Sequence, residues 1–239
     1  MKRNPTNAFT LIELLVVISI IAVLASIALP VFTSVQERGF QTKDLSNAKQ
    51  IGLGCKLYAA DHDGLFPDKD GQGADPAVTL LTASDSSNKA LASLIPAYVP
   101  TEKLFYVAKS AWSPTVPDEN TTASSARLET GTNNYAYMLG LNETSNPSFP
   151  LVADAPKTAG GKAEYSSVQT DKGGVWKGKK AVVIRCDMSG NVETTKTGTA
   201  GVTTVPGKTG AATTADDVFV PDATTGWLVG NTLLLPNTP

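Results

Sequence analysis

The sequence predicts an α+β protein in which a long N-terminal transmembrane and spine helix packs on a small antiparallel β-sheet domain with long loops. The first observation is an apolar run of membrane length between Phe9 and Leu29. The second is a helical spacing of apolar side chains that resumes after this run and ends near Asp61. The third is a pair of extended runs on either side of a turn at Ser189 to Asn191, which is typical of a β-hairpin.

The apolar run is long enough to cross a bilayer and contains one charged side chain, Glu13. About 20 residues give roughly 30 Å of helix, which matches the hydrocarbon thickness. Lys2 and Arg3 precede the run, so the positive-inside rule places the N-terminus in the cytoplasm and the rest of the chain on the exported side. An acid in hydrocarbon costs about 2.5–3.5 kcal/mol, so Glu13 either has a function there or snorkels to the headgroups.

The helix should continue beyond Pro30, because apolar residues recur at helical spacing after it. Pro30 is therefore expected to kink the helix rather than to end it. The side chains predicted to face a core are Leu45, Ala48, Ile51, Cys55 and Tyr58. Those predicted to lie largely on the opposite side are Lys43, Asp44, Asn47, Lys49 and Gln50. The helix should end at the Asp-His-Asp-Gly segment, residues 61–64, which has strong turn chemistry.

The rest of the chain reads as short β-strands, one short helix and long loops. Residues 181–186 and 192–195 form the predicted hairpin, and Val152 and Ala153 form a further short strand. Residues 90–98 read as a short helix or turn, and 227–235 as a final strand or a wrap against the domain. Residues 196–215 are rich in Thr, Gly and Ala without an apolar period, which indicates a flexible or loosely packed excursion.

Length and charge limit the classes of function. Of the 239 residues, those outside the apolar helix suffice for one ordinary domain. The formal net charge is −2, and without Lys2 and Arg3 the chain has 18 basic and 22 acidic side chains. No basic run is interleaved with aromatic residues, so the sequence indicates no nucleic-acid partner.

The two cysteines, Cys55 and Cys186, are both expected on the exported side, where an oxidising compartment permits a disulfide. Cys55 lies on the predicted buried face of the helix, and Cys186 continues the alternation of a predicted strand. Both thiols should therefore point toward a core. A disulfide and two buried free thiols remain equal alternatives, because pairing requires Cα atoms about 5.5–6 Å apart.

Catalytic chemistry is sparse in this sequence. His62 is the only histidine, so neither a Ser-His-Asp triad nor a multi-histidine metal site can be built easily. The Gly160-Gly161-Lys162 segment lacks the spacing of a phosphate-binding loop. We therefore predict that the protein is not an enzyme and assign it no cofactor.

Two acidic segments are candidates for calcium binding. Residues 68–73 alternate oxygen donors before a glycine, as the first half of an EF-hand loop does, but Thr79 stands where that loop needs a bidentate glutamate. Asp216, Asp217 and Asp222 form the second group. Carboxylates in loops are usually solvated, so calcium remains an open alternative and no metal site is assigned.

The segment from Phe9 to Glu13 reads Phe-Thr-Leu-Ile-Glu and follows a short basic leader. This combination resembles the N-terminus of type IV pilins and type II secretion pseudopilins. The resemblance implies that a prepilin peptidase cuts between Ala8 and Phe9 and methylates the new amine of Phe9. It also implies that Glu13 is the assembly glutamate, which pairs with the Phe9 amine of a neighbouring subunit. The family usually has Gly before the cut, where this chain has Ala8.

A second stretch, residues 56–67, is similar to the end of the spine helix in pseudopilins. Tyr58, an acidic-Gly turn and the Phe66-Pro67 pair occur there in the same order. Within the family, this similarity favours a pseudopilin of a type II protein secretion system. A surface type IV pilin is the first alternative. A membrane-anchored periplasmic binding module that never polymerises is the second.

The family resemblance also implies an organisation, a location and partners. The expected parts are a prepilin leader (1–8), a transmembrane helix (9–29), an exported spine half (30–61) and a periplasmic or extracellular domain (62–239). The protein should be a single-pass protein of the bacterial inner membrane that enters a filament after processing. Expected partners are further copies of itself, other pilins or pseudopilins, the prepilin peptidase, the inner-membrane assembly platform and secreted cargo, with a separate ATPase supplying the energy.

Overall fold

The structure is a computed structural model that describes residues 10–73, 79–159, 161–198, 202–206, 217–222 and 226–238. The chain divides into two compact units, Met1–Lys43 and Asp44–Pro239. The first helix, α1, spans Leu11–Asp61 and contributes residues to both units. In the described part of the second unit, the chain adds the helix α2 (Ser87–Ala92) and seven strands. The predicted α+β fold class, with a long N-terminal helix and an antiparallel sheet, is confirmed.

Helix α1 continues through Pro30, as the periodicity predicted. Pro30 has no N–H to donate to the preceding turn, and its own carbonyl accepts hydrogen bonds from the hydroxyls of Thr33 and Ser34 at 2.9 and 3.1 Å. The kink at Pro30 remains a prediction. The helix ends where the turn chemistry indicated, because Asp63 adopts a left-handed backbone (φ 52°) and the N–H of Gly64 closes the last turn onto Ala59 at 2.9 Å.

Five antiparallel strands form the main sheet, in the order β4-β3-β2-β1-β7. Their bounds are β1 Tyr135–Leu139, β2 Pro150–Asp154, β3 Lys180–Arg185, β4 Gly190–Thr194 and β7 Thr232–Leu234. The hairpin of β3 and β4 and the strand β2 were predicted. A second sheet pairs β5 (Lys196–Thr197) with β6 (Thr203–Thr204), inside a segment that had been predicted as irregular. Strand β1, which lies between β2 and β7, was not predicted.

Within the second unit, residues 44–61 of α1 cover the sheet with the face that the spacing predicted. Ala48, Ile51, Cys55 and Tyr58 are all buried, and Leu45 packs at the margin of the same core. The prediction for the opposite side was wrong at two positions, since Asp44 and Asn47 are also buried. Asp44 lies on the buried side because the hydroxyl of Tyr135, on β1, donates a 2.5 Å hydrogen bond to its Oδ1.

Gly52 is the point of close approach between α1 and the sheet. A Cβ atom at this position would lie 2.9 Å from Cγ2 of Ile184 on β3 and 3.3 Å from Sδ of Met188. The Ile184 methyl group is attached directly to a branched Cβ, so it cannot move aside without a rotamer change. The absence of a side chain at Gly52 therefore sets the distance between helix and sheet.

We expect Gly52→Ala to lower the free energy of unfolding by about 1–2 kcal/mol, because overpacking costs about 1–3 kcal/mol and the gain in helix propensity offsets part of it. Urea unfolding of the detergent-solubilised full chain measures the change. Gly39→Ala is the matched control in the same helix, since a Cβ there meets nothing within 4 Å. The control should be neutral or slightly stabilising, and equal effects of the two substitutions would contradict the close-packing account.

Candidate functional site

The first part of α1 exposes apolar side chains on all sides. From Leu11 to Phe32, every described residue is exposed. The helix is long and apolar enough to cross a membrane. Its hydroxyl groups are satisfied within the helix, because Ser19 donates to the carbonyl of Val16 and Ser26 to that of Val23, both at 2.7 Å. A surface of this extent must be covered by lipid or by other apolar helices.

Glu13 closes a reciprocal hydrogen-bonded cap at the start of this helix. The carboxylate Oε2 accepts from the backbone N–H of Thr10 at 2.8 Å and from its hydroxyl at 2.7 Å. In return, the N–H of Glu13 donates to Thr10 Oγ1 at 3.3 Å. This is a capping box, which satisfies two N–H groups that a helix end leaves without partners.

Sequence reasoning considered membrane insertion and assembly for Glu13 and missed this cap. The signal was present, since Thr followed three residues later by Glu before an apolar run is the signature of a capping box. The cap positions the carboxylate at the helix end where the partial positive charge of the backbone favours an anion. The predicted cleavage residues, Ala8 and Phe9, lie outside the described residues, so cleavage and methylation remain predictions.

Cys55 and Cys186 are both buried and both free in this structure. Cys55 follows Gly52 by one helical turn, and Cys186 lies between Ile184 and Met188, the two residues that Gly52 approaches. Burial raises the pKa of Cys55, with a smaller contribution from the nearby Cys186, and burial raises the pKa of Cys186 to about 12. The disulfide stays a prediction beside the alternative of two buried thiols.

The acidic segments that were weighed for calcium make other contacts where they are described. Asp70 pairs with Lys89 at 3.2 Å and accepts from the N–H of Gln72 at 2.9 Å. Asp217 is buried and accepts from the N–H groups of Ala163 and Phe219 at 2.7 and 3.0 Å. Asp216 lies outside the described residues. The Lys89 ammonium competes with any cation for Asp70, and calcium stays an open alternative.

Comparison with known proteins identifies a family motif at the N-terminus of the chain. Residues 3–29 match the family described as the prokaryotic N-terminal methylation motif, which is the motif of type IV pilins. The chain is also similar to the type IV major pilin protein PilA of Myxococcus xanthus (strain DK1622), with 41% identity over 63 residues. No solved structure matches. The resemblance to the type IV pilin family is therefore confirmed.

The match to PilA is partial in both chains. It covers 26% of this chain and spans 29% of the length of PilA. The family match therefore concerns the N-terminal motif. The motif and the apolar helix together support membrane anchoring. The assembly and the partners of the whole chain are matters of proposal.

The raised pKa values predict slow thiol chemistry in the folded protein. At pH 8, Cys186 should react with a maleimide roughly a thousandfold more slowly than an unperturbed cysteine, because a pKa of about 12 leaves little thiolate. Mass spectrometry after timed labelling checks this, with Ser46→Cys on the exposed side of α1 as a reactive control. Rapid labelling of the native thiols would contradict the result. Protein that resists labelling even in urea and has lost two hydrogens would establish the disulfide.

Proposed function

We propose that this protein is a structural subunit of a pilin-type filament and that its N-terminal helix drives polymerisation. The observation that carries the proposal is Glu13 at the start of a helix that is exposed and apolar on every side, within the methylation motif. The exposed helix needs a cover, and packed copies of the same helix supply one when the subunit leaves the lipid. The apolar helix would thus be covered by lipid before assembly and by neighbouring helices in the filament.

The carboxylate supplies specificity that apolar helices alone lack. Once helices pack together away from headgroups, an unpaired carboxylate is costly and a cation on a neighbouring subunit offsets that cost. The new amine of Phe9, created by cleavage after Ala8, is the cation proposed here, and methylation would keep it protonated. Each Glu13–amine pair would set the register between neighbouring subunits. Thr10 already supplies two donors to the same oxygen, so the amine adds a third partner or displaces one.

Two kinds of filament fit this proposal. A pseudopilin of a type II secretion system is favoured by the similarity of residues 56–67 to the end of the pseudopilin spine, where α1 closes at Asp61 before the turn to Gly64. A surface pilus is favoured by the similarity to PilA, a type IV major pilin. Deletion of the gene separates them, because loss of a pseudopilin retains secreted cargo in the periplasm, whereas loss of a pilin removes filaments from sheared cell-surface fractions.

A non-polymerising anchored module is the competing class of function. It would use α1 only to hold the domain at the membrane, and Glu13 would then serve the capping box alone. The two hypotheses differ in what they require of Glu13, since capping needs an acceptor oxygen and pairing with an amine needs a negative charge. A glutamine keeps the acceptor and removes the charge. This difference makes the hypotheses separable by one substitution.

Processing is tested by the intact mass of the membrane-extracted protein after co-expression with its native prepilin peptidase. The expected mature chain starts at Phe9 and carries one additional methyl group. Ala8→Gly is the matched variant, because it restores the residue that the family usually has before the cut, and it should give the same product at an equal or higher yield. An uncut chain from both proteins would remove the processing step from the proposal.

Glu13→Gln should strongly reduce filament assembly while leaving insertion and the helix start intact. Loss of a charge-assisted hydrogen bond costs about 1.5–3 kcal/mol per contact, so the assembled fraction should fall by roughly tenfold or more. Sedimentation of filaments after reconstitution with the native assembly machinery measures this fraction. Glu37→Gln, farther along α1, removes a carboxylate with equal chemistry and should assemble normally.

The complementary variant removes the cap and keeps the charge. Thr10→Ala should lower helix stability by about 0.5–2 kcal/mol and still permit assembly, because the Glu13 carboxylate remains. If Thr10→Ala and Glu13→Gln reduced assembly equally, the cap rather than the charge would be the determinant. Normal assembly of Glu13→Gln would favour the anchored module.

A further inference from the structure

Two buried carboxyl groups, those of Asp44 and Asp154, interact electrostatically in the core of the second unit, and Tyr135 is opposite Asp154 in the sheet and bonds Asp44. Asp44 is the first residue of this unit and lies on α1, whereas Asp154 ends β2 in the middle of the main sheet. Only 2% of Asp44 and none of Asp154 is exposed to solvent. Two buried carboxylates without a cation would be prohibitively unfavourable, so at least one of the two carboxyl groups must be protonated.

The hydrogen-bond donors around the two groups are unequal. Asp154 accepts three N–H donors: Asn134 Nδ2 at 2.6 Å to Oδ1, and Trp176 Nε1 and the backbone N–H of Val182 at 2.8 Å each to Oδ2. Such a set of donors stabilises an ionised carboxylate.

Asp44 has a much poorer set of donors. Its Oδ1 accepts from the hydroxyl of Tyr135 at 2.5 Å, and no donor among the described residues reaches its Oδ2. A buried oxygen without a donor is the one expected to carry a proton itself, because it can then act as the donor.

The electrostatics of the two groups agree with this asymmetry. Burial raises the pKa of Asp44 well above its usual range, and the neighbouring charge of Asp154 raises it further. Burial also raises the pKa of Asp154, but the donors from Val182, Trp176 and Asn134 oppose this effect, and a side-chain hydrogen bond from Asp44 opposes it as well. The negative charge therefore belongs on Asp154 and the proton on Asp44.

We propose that Asp44 is a neutral carboxylic acid whose proton is donated to the Asp154 carboxylate, and that this single proton latches the start of the exported part of α1 onto the sheet in a pH-sensitive way. The latch connects an element near the membrane helix to the centre of the folded unit. It is a property of the folded chain and does not depend on filament assembly. Loss of the proton leaves two facing carboxylates, which repel each other and weaken the contact at this turn of the helix.

The surrounding groups do not supply a replacement charge. Among the described residues, the titratable side chains that bond the pair are tyrosines: Tyr135 from β1 bonds Asp44, and the Tyr165 hydroxyl donates to the carbonyl of Asp154 at 2.8 Å. Burial raises the pKa of both tyrosines well above their usual range, so both stay neutral, and Asp217 near Tyr165 adds only negative charge. None of the ion pairs between described residues involves Asp44 or Asp154.

The sign of the pH effect follows from the raised pKa of Asp44. The folded latch binds a proton that the open state releases, so the contact is fully stabilised below the ordinary aspartate pKa of about 3.9. The contact weakens as the pH rises through the higher pKa of the folded state. Between these two limits, the ratio of open to closed latch should grow about tenfold per pH unit.

Hydrogen exchange of the full chain in detergent micelles tests the latch between pH 5 and pH 8, after correction for intrinsic exchange rates. In the wild type, the opening of amides at residues 44–51 should increase by up to tenfold per pH unit. Asp44→Asn should remove this dependence, because its amide donates to Asp154 permanently and its oxygen still accepts from Tyr135. Asp63→Asn, at the exposed helix end, is the control and should retain the wild-type slope.

Infrared spectroscopy of the wild type tests the location of the proton, and this test does not require any variant to fold. Infrared spectra of the wild type at neutral pH should contain a protonated carboxyl band that shifts in deuterated water and is absent in Asp44→Asn. Asp154→Asn should be far more destabilising than Asp44→Asn, because it leaves N–H donors without acceptors. Absence of the band, a pH-independent wild type or the reverse order of the two variants would each overturn the proposal.

Discussion

The structure depends on one constraint: a single continuous helix must satisfy two different environments. Up to Phe32, helix α1 is exposed and apolar on all sides, so no aqueous solvent suits it. From Asp44 onward the same helix buries one stripe against a five-stranded sheet, with Ala48, Ile51 and Cys55 fully enclosed. Along the helix, apolar residues first occupy all sides and then only one side. The position of this change decides where contact with lipid can be replaced by contact with a protein core. The membrane motif, the folded unit and the proposed polymer all follow from it.

Much of this arrangement could be predicted from local patterns. The apolar run, the buried stripe, the helix end at Asp61 and the hairpin of β3 and β4 each depend on periodicity or turn chemistry within a short segment. The capping box of Thr10 and Glu13 is equally local, because Thr followed three residues later by Glu before an apolar run specifies it. The methylation motif required a family resemblance, since no physical argument from residues alone specifies a peptidase.

The features that sequence reasoning missed depend on contacts between distant residues. Asp44 was assigned to the opposite side of the helix by the spacing of the apolar residues, and its hydrogen-bond partner Tyr135 lies 91 residues away. Strand β1 was missed although its residues are buried almost throughout, because sequence alone gave it no turn-bounded alternation. Burial of a polar residue is decided by the whole fold, so a helical wheel drawn from one segment cannot reveal it.

The capping box would affect how strongly subunits hold together in the proposed filament. Thr10 already donates two hydrogen bonds to the Glu13 carboxylate. The carboxylate of a lone subunit in the bilayer would therefore be partly stabilised before any neighbour binds. Joining a neighbour then trades one set of hydrogen bonds for another and gains only the difference between them. In the proposed filament, the net stabilisation from each Glu13–amine pair would therefore be smaller than the full strength of that pair. The hydroxyl of one threonine would thus help to set the strength of each contact between subunits.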